Sequence, residues 1–267
     1  MGRIEAAFSK AKRDGKKGFI PFITAGDPDL GTTAELLVEL SQSGATVIEL
    51  GVPFSDPMAD GPVIQRASER ALKHGFGLLE IFETTARVRS QMDTPLVLFS
   101  YLNPLMQYGL SKLTRNAHAA GIDGILVTDL TPEESEEFVA AAKASELDSI
   151  FLVAPTSTDE RLRLITEHAS GFVYAVSRAG VTGARENLSG EAELLLTRVR
   201  RFSKLPIAVG FGISTAEQVT ETCAYADAAV VGSAIVSEIE KLGNDPDLVK
   251  KIGSYVRKLT SAETATA

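Results

Sequence analysis

Short, strand-like apolar runs alternate with longer amphipathic segments from one end of the chain to the other. Several of these runs, such as Ile125-Leu126-Val127, are apolar throughout, as in parallel strands that are covered on both faces. Eight strand-and-helix units in 267 residues predict an α/β protein with a closed (βα)8 barrel, the TIM barrel, more than an open doubly wound sheet. The predicted strands lie near Gly18–Thr24, Thr46–Val52, Pro95–Tyr101, Gly124–Thr128, Ser149–Val153, Gly171–Val176, Pro206–Gly210 and Asp227–Val231.

The segments between these runs have helical periodicity, and some begin with capping residues such as Ser214-Thr215. An extra N-terminal helix is predicted over Gly2–Asp14, with Ile4 and Phe8 among the residues of an apolar side that we expect to plug the lower end of the barrel. We expect a single domain over residues 1–267, since no linker, repeat or low-complexity block divides the pattern. Other predicted helices are Thr32–Ser43, Pro62–Lys73, Leu78–Gln91, Pro132–Ala144, Thr158–His168, Gly190–Arg201 and Ser214–Cys223.

Charge and cysteine content exclude several classes of function. The net charge is −8, which argues against sequence-independent binding of nucleic acid. Cys223 is the only cysteine, so neither an internal disulfide nor a cysteine zinc site is expected, and the three histidines do not have metal-ligand spacing. No apolar run reaches the roughly 20 residues that cross a bilayer, and the expected location is the cytoplasm.

Two of the predicted loops that follow strands are longer than usual. They are Pro53–Gly61, after the second strand, and Ser177–Ser189, after the sixth. In a (βα)8 barrel the active site lies on loops of this kind, at the carboxyl ends of the strands. Long loops there are typical of lids and binding loops, with a tolerated surface insertion as the alternative.

Glu49 interrupts the otherwise apolar second strand. Side chains alternate along a strand, so Ile48 and Leu50 share one face and Glu49 occupies the other. If the aliphatic pair faces the helices, Glu49 points into the barrel, where burial raises its pKa and lets it give and take a proton. The alternative is a structural glutamate that a buried donor satisfies.

The loop after the second strand carries two more acids, Asp56 and Asp60. Asp60 precedes Gly61-Pro62, where a helix is expected to begin, so capping of that helix is the alternative to a chemical role. Asp56-Pro57 has the composition of a turn, and its spacing indicates no chemical role.

Glycines at the ends of the last two strands predict a phosphate site. The seventh strand runs into Gly210-Phe211-Gly212 and the eighth into Gly232-Ser233. Glycines let backbone N–H groups approach an anion, and the loops after strands 7 and 8 form the recurrent phosphate site of this architecture. Gly183 in the sixth loop can complete this cradle, and simple tight turns are the alternative.

No lysine is predicted at the carboxyl end of a strand, and no metal ligands cluster, which leaves proton transfer by carboxylates on a small phosphorylated molecule. Aromatic rings near the mouth can line a pocket for a flat substrate, with core packing as the alternative. These rings are Phe22, Phe99, Tyr101, Tyr174 and Phe211.

The run from Ile48 to Gly61 closely resembles the acidic motif of the tryptophan synthase α chain family. Further matches occur in the same order along nearly the whole chain. They are Pro21-Phe22-Ile23-Thr24-Ala25-Gly26-Asp27-Pro28, Tyr101-Leu102-Asn103-Pro104, Ser177–Arg185 and Gly210-Phe211-Gly212-Ile213. The resemblance implies a (βα)8 barrel that cleaves indole-3-glycerol phosphate to indole and glyceraldehyde 3-phosphate.

The resemblance assigns catalysis to Glu49 and Asp60. Glu49 is expected to protonate indole C3 and then to take the proton of the glycerol hydroxyl, and Asp60 is expected to act at the indole N–H. The residues implied around the substrate and its phosphate are Phe22, Tyr101, Tyr174, Thr182, Gly183, Phe211, Gly212, Gly232 and Ser233.

The same resemblance implies a partner, a pyridoxal-phosphate β chain in an α2β2 tetramer that receives indole through a channel. Asp56, Pro57, Asn103 and Pro104 would face this partner, and no cofactor is expected in this chain. Three alternatives stay open: a free-standing indole-releasing lyase, a non-catalytic phosphate-ester module that regulates a partner, and a generic phosphosugar isomerase.

Overall fold

Eight parallel strands close into a barrel in which each strand pairs with its neighbours in chain order, and β8 pairs with β1. The computed structural model describes residues 1–176, 186–210 and 212–260, and the side chains of residues 186–189 lie outside that description. The strands are β1 Gly18–Thr24, β2 Ile48–Gly51, β3 Leu96–Ser100, β4 Gly124–Val127, β5 Asp148–Val153, β6 Val173–Val176, β7 Ile207–Gly210 and β8 Ala228–Val231. The predicted barrel and its strand order are confirmed.

Helices surround the barrel, and one of them precedes it. They are α1 Arg3–Arg13, α2 Leu30–Gln42, α3 Pro62–Leu72, α4 Leu78–Val88, α5 Leu102–Tyr108, α6 Leu110–Ala119, α7 Glu136–Ala144, α8 Asp159–His168, α9 Glu186–Val199, α10 Ala216–Tyr225, α11 Ser233–Leu242 and α12 Leu248–Thr260. Short 3-10 turns lie at Arg89–Gln91 and Pro132–Glu134. No helix in these described ranges is long and apolar enough to span a membrane.

Local chemistry explains where the helices differ from the sequence pattern. Helix α7 begins at Glu136 and not at Pro132, because the Ser135 hydroxyl donates to the Pro132 carbonyl (2.9 Å) and holds a separate 3-10 turn. Helices α5 and α6 were not predicted. Pro104 lies in the first turn of α5, where a missing N–H is tolerated, and Gly109, at φ 88°, separates the two helices.

The barrel has an inner and an outer apolar layer. Ile48 and Leu50 pack outward among the helices, in a cluster that includes Ile23. Val47 belongs to the inner cluster together with Phe172. The strands are therefore covered on both faces, as their continuous apolar sequences predict.

Helix α1 closes the amino-terminal end of the barrel. Its Ile4 and Phe8 are buried in the inner cluster, and the ring of Phe8 lies 5.8 Å from that of Phe172. Arg3 Nη1 binds Asp123 Oδ1 at 2.8 Å and fixes the helix to the start of β4. The expected plug is confirmed, so access to the interior is left to the carboxyl ends of the strands.

Truncating the plug should destabilise the fold. We expect Phe8→Ala to lower the free energy of unfolding by about 3–5 kcal/mol, because it leaves a cavity that the rigid strand ends cannot fill. Leu79→Ala, at a side chain that is half exposed on α4, is the control and should change stability by less than about 0.5 kcal/mol. Urea unfolding monitored by circular dichroism measures both variants, and equal small losses would show that α1 does not close the core.

Candidate active site

Glu49 lies inside the barrel near its mouth. It is 1% exposed and pairs in register with Phe22 of β1 and Val97 of β3. Burial raises the pKa of Glu49 to about 8, because the surroundings disfavour the charged carboxylate. Among the described residues its Oε1 has no hydrogen-bond partner. The structural alternative, a carboxyl satisfied by a buried donor, is therefore not supported for this oxygen.

Tyr174 is the polar neighbour of Glu49 inside the barrel. It belongs to the inner cluster, and burial, with a further contribution from the Glu49 charge, raises the pKa of its hydroxyl. The hydroxyl lies 2.2 Å from the point where a Cβ on Gly210 would stand. A side chain at position 210 would clash with the Tyr174 hydroxyl, so glycine is needed at the end of β7. This packing role is separate from the phosphate contact predicted for the loop after β7.

Asp60 reaches the same mouth from the loop between β2 and α3. Burial raises the pKa of Asp60, and a hydrogen bond from the Tyr101 hydroxyl partly opposes that rise. The N-cap position of α3 is occupied by Gly61, which has no side chain to cap the helix. The carboxyl of Asp60 is thus directed to Tyr101, and the capping alternative loses its support.

Tyr101 holds the loop that carries Asp60. Its hydroxyl accepts a hydrogen bond from the Ala59 N–H (2.9 Å), and its ring lies 5.2 Å from that of Phe54. Burial and the nearby Asp60 charge both raise the pKa of Tyr101. At neutral pH the hydroxyl therefore keeps its proton and can donate it to Asp60 while it accepts from Ala59.

A narrow cavity at the mouth is lined by Asp60 and Tyr101, but not by Glu49 or Tyr174. The rings of Phe22 and Phe99, 5.3 Å apart and edge to face, form its apolar wall. Asp60, Tyr101 and Thr24 are among the polar residues that line it. The cavity measures only about 10 Å³, so a flat heteroaromatic ring can pack against this wall, with its polar edge towards a carboxyl, only when the surrounding side chains move apart.

Not every predicted site residue belongs to this cavity. Gly232 lies against Phe22, since a Cβ at position 232 would stand 3.4 Å from the Phe22 Cβ, and Ser233 begins α11 immediately after it. Gly212 is exposed after β7, at φ 73°. The predicted contacts Thr182, Gly183 and Phe211 and the long loop Ser177–Ser189 fall wholly or largely outside the described residues.

The predicted partner residues lie on the rim of the same end. Asp56 and Asn103 are exposed, and Pro57 and Pro104 are half-buried. Their loop and α5 are in contact, because Tyr101, directly before α5, binds Ala59.

Several residues that line the cavity had not been singled out as site residues from the sequence. Thr24, Ile64, Ser68 and Ser100 belong to it. For Thr24 a signal existed, since it alternates with Phe22 on β1 and so shares the inward face. For Ser68 no such signal existed, because its place depends on how α3 packs.

A larger cavity, about 1320 Å³, lies at the opposite end, beside α1. Its lining includes Lys10, Arg13 and Arg257, which are located in the last turns of α1 and α12. Cations at these positions complement the helix dipoles, and neither Glu49 nor Asp60 is near. The candidate site is therefore placed at the mouth, where Asp60 lines the smaller cavity and Glu49 pairs in register with Phe22 of its wall. Among the described residues no group of three or more metal-ligating side chains is assembled.

The closed barrel, with two carboxyls of raised pKa at the carboxyl ends of its strands, defines the class of (βα)8-barrel proteins, in which this end is the usual place of the active site. A model of the tryptophan synthase alpha chain family matches residues 8–264, and the chain belongs to that family. The family provides the alpha subunit in tryptophan biosynthesis. The resemblance found in the sequence is confirmed.

Relatives and solved structures agree with this assignment. The tryptophan synthase alpha chain of Solibacter usitatus is 49% identical over 97% of both chains, and that of Geobacter sulfurreducens is 46% identical over 98% of this chain and 99% of the relative. The structure of subunit alpha from Legionella pneumophila str. Paris matches with a TM-score of 0.91 and 39% identity over 99% of both chains. A structure described as the α2β2 complex of Pyrococcus furiosus matches with a TM-score of 0.84 and 42% identity, over 91% of this chain and 98% of that chain.

The raised pKa of Glu49 should make stability depend on pH. The folded protein keeps this proton up to about pH 8, whereas the unfolded chain releases it near 4.5. The folded state thus binds more protons between these values, and the free energy of unfolding falls as pH rises through them. Glu49→Gln does not titrate, so its stability relative to the wild type should increase over this range, by a few kcal/mol in total.

Urea titrations at about pH 5 and about pH 9 measure this difference. Glu83→Gln, at an exposed position on α4, is the control and should follow the wild type at both pH values. If Glu49→Gln and the wild type differed in stability by the same amount at both pH values, the burial of a protonated Glu49 would be contradicted.

Proposed function

We propose that this chain, acting as one barrel domain, cleaves indole-3-glycerol phosphate to indole and glyceraldehyde 3-phosphate, with Glu49 and Asp60 as the catalytic residues. The observation that carries the proposal is the buried Glu49 carboxyl, protonated at neutral pH and with one oxygen unpaired, on the strand that precedes the Asp60 loop. An acid whose pKa lies near the working pH can both donate and accept a proton.

Cleavage proceeds by two proton movements at Glu49. Glu49 first donates its proton to indole C3, and the ring nitrogen supplies the electron pair, so that positive charge develops on the nitrogen. The Glu49 carboxylate then takes the proton of the adjacent glycerol hydroxyl. The C–O bond becomes C=O as the bond from that carbon to C3 breaks, and its electron pair restores the aromatic indole. Glu49 ends protonated, as it began.

Asp60 stabilises the charge on the ring nitrogen. Its carboxyl lines the cavity beside the Phe22 and Phe99 rings, where a carboxylate opposite the indole N–H interacts more strongly once C3 is protonated. The Tyr101 hydroxyl fixes this carboxyl. An interaction that strengthens in the transition state accelerates the reaction and does more than improve binding.

The phosphate and the ring wall orient the substrate. Gly212, Gly232 and Ser233 follow β7 and β8, where the amino terminus of α11 favours an anion. We place Thr182, Gly183 and Phe211 near the substrate on the family resemblance. Phe22, Tyr101 and Tyr174 surround its indole end.

We propose a pyridoxal-phosphate β chain as partner, in an α2β2 assembly of the kind named for the Pyrococcus furiosus structure. The rim with Asp56, Pro57, Asn103 and Pro104 would face it. Two large apolar side chains on this rim support the proposal: Met58 is 93% exposed and Met106 is 52% exposed. Pyridoxal phosphate belongs to the partner in this proposal, and the expected location is the cytoplasm, where a chain whose single cysteine forms no internal disulfide is stable.

Replacing either carboxyl should abolish most of the turnover. We expect Glu49→Gln and Asp60→Asn each to lose at least about 10²-fold in kcat, since the first removes the proton-transfer group and the second removes the charge that stabilises the protonated ring. Both variants should still bind the phosphate ester. A steady-state assay with indole-3-glycerol phosphate, with and without a β chain, measures this.

Asp148→Asn is the matched control. Burial also raises the pKa of Asp148, but this residue begins β5 at the other end of the barrel. It should retain wild-type turnover. Equal losses in all three variants would indicate damage to the fold, and near-normal turnover of Glu49→Gln would remove Glu49 from the mechanism.

The proposed β-chain interface on the rim can be tested separately from catalysis. We expect Met106→Arg to weaken association with a β chain by roughly tenfold or more, because it places a charge in an apolar interface. Its basal cleavage activity without the β chain should stay unchanged. Leu79→Arg, at an exposed leucine on α4, is the control and should associate normally. Analytical ultracentrifugation of the mixed chains measures association, and normal assembly of Met106→Arg would place the interface elsewhere.

A further inference from the structure

Thr24 carries a buried hydroxyl that no described residue satisfies. It is the last residue of β1, is 2% exposed, and its Oγ1 has no hydrogen-bond partner within residues 1–176, 190–210 and 212–260. Along β1 it shares the inward face with Phe22, and it pairs in register with Gly51. Since Phe22 pairs with Glu49, Thr24 lies one layer closer to the mouth than Glu49.

Other buried threonines show what a satisfied hydroxyl looks like in this protein. The hydroxyl of Thr33 donates to the Asp29 carbonyl (2.8 Å), and that of Thr85 donates to the Phe82 carbonyl (3.0 Å). The hydroxyl of Thr114 accepts from Ser145. An unpaired buried hydroxyl lowers stability, so valine at position 24 would be the more stable choice for packing alone.

The unpaired atoms are concentrated at the site. Among the described residues, three buried side-chain atoms lack a hydrogen-bond partner: Thr24 Oγ1, Glu49 Oε1 and Arg89 Nη2. Two of the three belong to neighbouring strands at the barrel mouth. Thr24 also lines the same cavity as Asp60, Phe22 and Phe99. This location points to a polar atom that arrives with the substrate.

We propose that Thr24 is a substrate-binding residue whose hydroxyl accepts a hydrogen bond from the indole N–H, beside Asp60. The proposal rests on the proposed function, because that function supplies an indolic substrate whose N–H enters this cavity. The bond strengthens when protonation of C3 places positive charge on the ring nitrogen. Thr24 therefore contributes to turnover as well as to binding.

The kinetic test uses two substitutions at position 24. Thr24→Val keeps the shape and removes the hydroxyl, and we expect kcat/KM to fall roughly tenfold, mainly through kcat. Its thermal stability should equal or exceed that of the wild type, which a purely structural role would not produce. Thr24→Ser restores the hydroxyl and should recover activity to within about threefold of the wild type. Thr85→Val, which removes a satisfied hydroxyl on α4, should leave activity unchanged.

A binding experiment isolates the N–H contact. The chain contains no tryptophan, so the fluorescence of added indole can be followed without a protein tryptophan signal. We expect Thr24→Val to weaken indole binding about fivefold and to leave the binding of 1-methylindole, which has no N–H, unchanged. The proposal would be overturned if Thr24→Val bound both ligands as tightly as the wild type does. It would also be overturned if the variant lost affinity equally for both, which would indicate a packing role.

The outcome is separable from that of the proposed function. If the wild type binds indole and cleaves the substrate while Thr24→Val behaves as the wild type does, only the role of Thr24 fails. If the wild type neither binds indole nor cleaves indole-3-glycerol phosphate, the proposed function fails and the role of Thr24 fails with it.

Discussion

The chemistry of this protein depends on the removal of one carboxyl group from water. Glu49 is enclosed by neighbouring strands of a closed barrel, and burial raises its pKa to about 8. No neighbouring cation is responsible, since burial is the cause of the shift. Closure of the barrel therefore creates the environment that keeps a proton on Glu49 at neutral pH. Ile4 and Phe8 of α1 complete this closure at the other end.

The second carboxyl is controlled differently. Asp60 lies on a loop, is less deeply buried, and is tied to Tyr101, which also binds the Ala59 N–H. Glu49, on a rigid strand, is held in one position for the two proton transfers proposed for it. Asp60, on a tethered loop, is placed to stabilise the positive charge that develops on the ring. The same loop forms the rim proposed for the partner. Contact with a β chain can therefore alter the position of Asp60 without moving Glu49.

Much of this arrangement was predictable because it depends on periodicity. Alternation along β2 placed Ile48 and Leu50 outward and Glu49 inward, and the count of eight strand-and-helix units predicted closure. Residues whose positions depend on tertiary packing were not predictable. Ser68 reaches the cavity only through the docking of α3, and the tether between Tyr101 and the Asp60 loop joins residues 42 positions apart. Helix α5 was missed because its first turn contains proline, which sequence patterns associate with helix ends.

A raised carboxyl pKa does not by itself identify the site. Burial raises the pKa of Asp148 as well, yet this residue begins β5, and the Ser170 hydroxyl binds it. What distinguishes the mouth is unpaired polarity: Glu49 Oε1 and Thr24 Oγ1 are buried without partners in the part of the chain that is described. Polar atoms that lower stability when unpaired are tolerated where a ligand completes them. Two of the three buried unpaired atoms among the described residues thus lie at the carboxyl-terminal end, where the substrate is proposed to bind, and the third, Arg89 Nη2, lies beside Asp123 at the amino-terminal end.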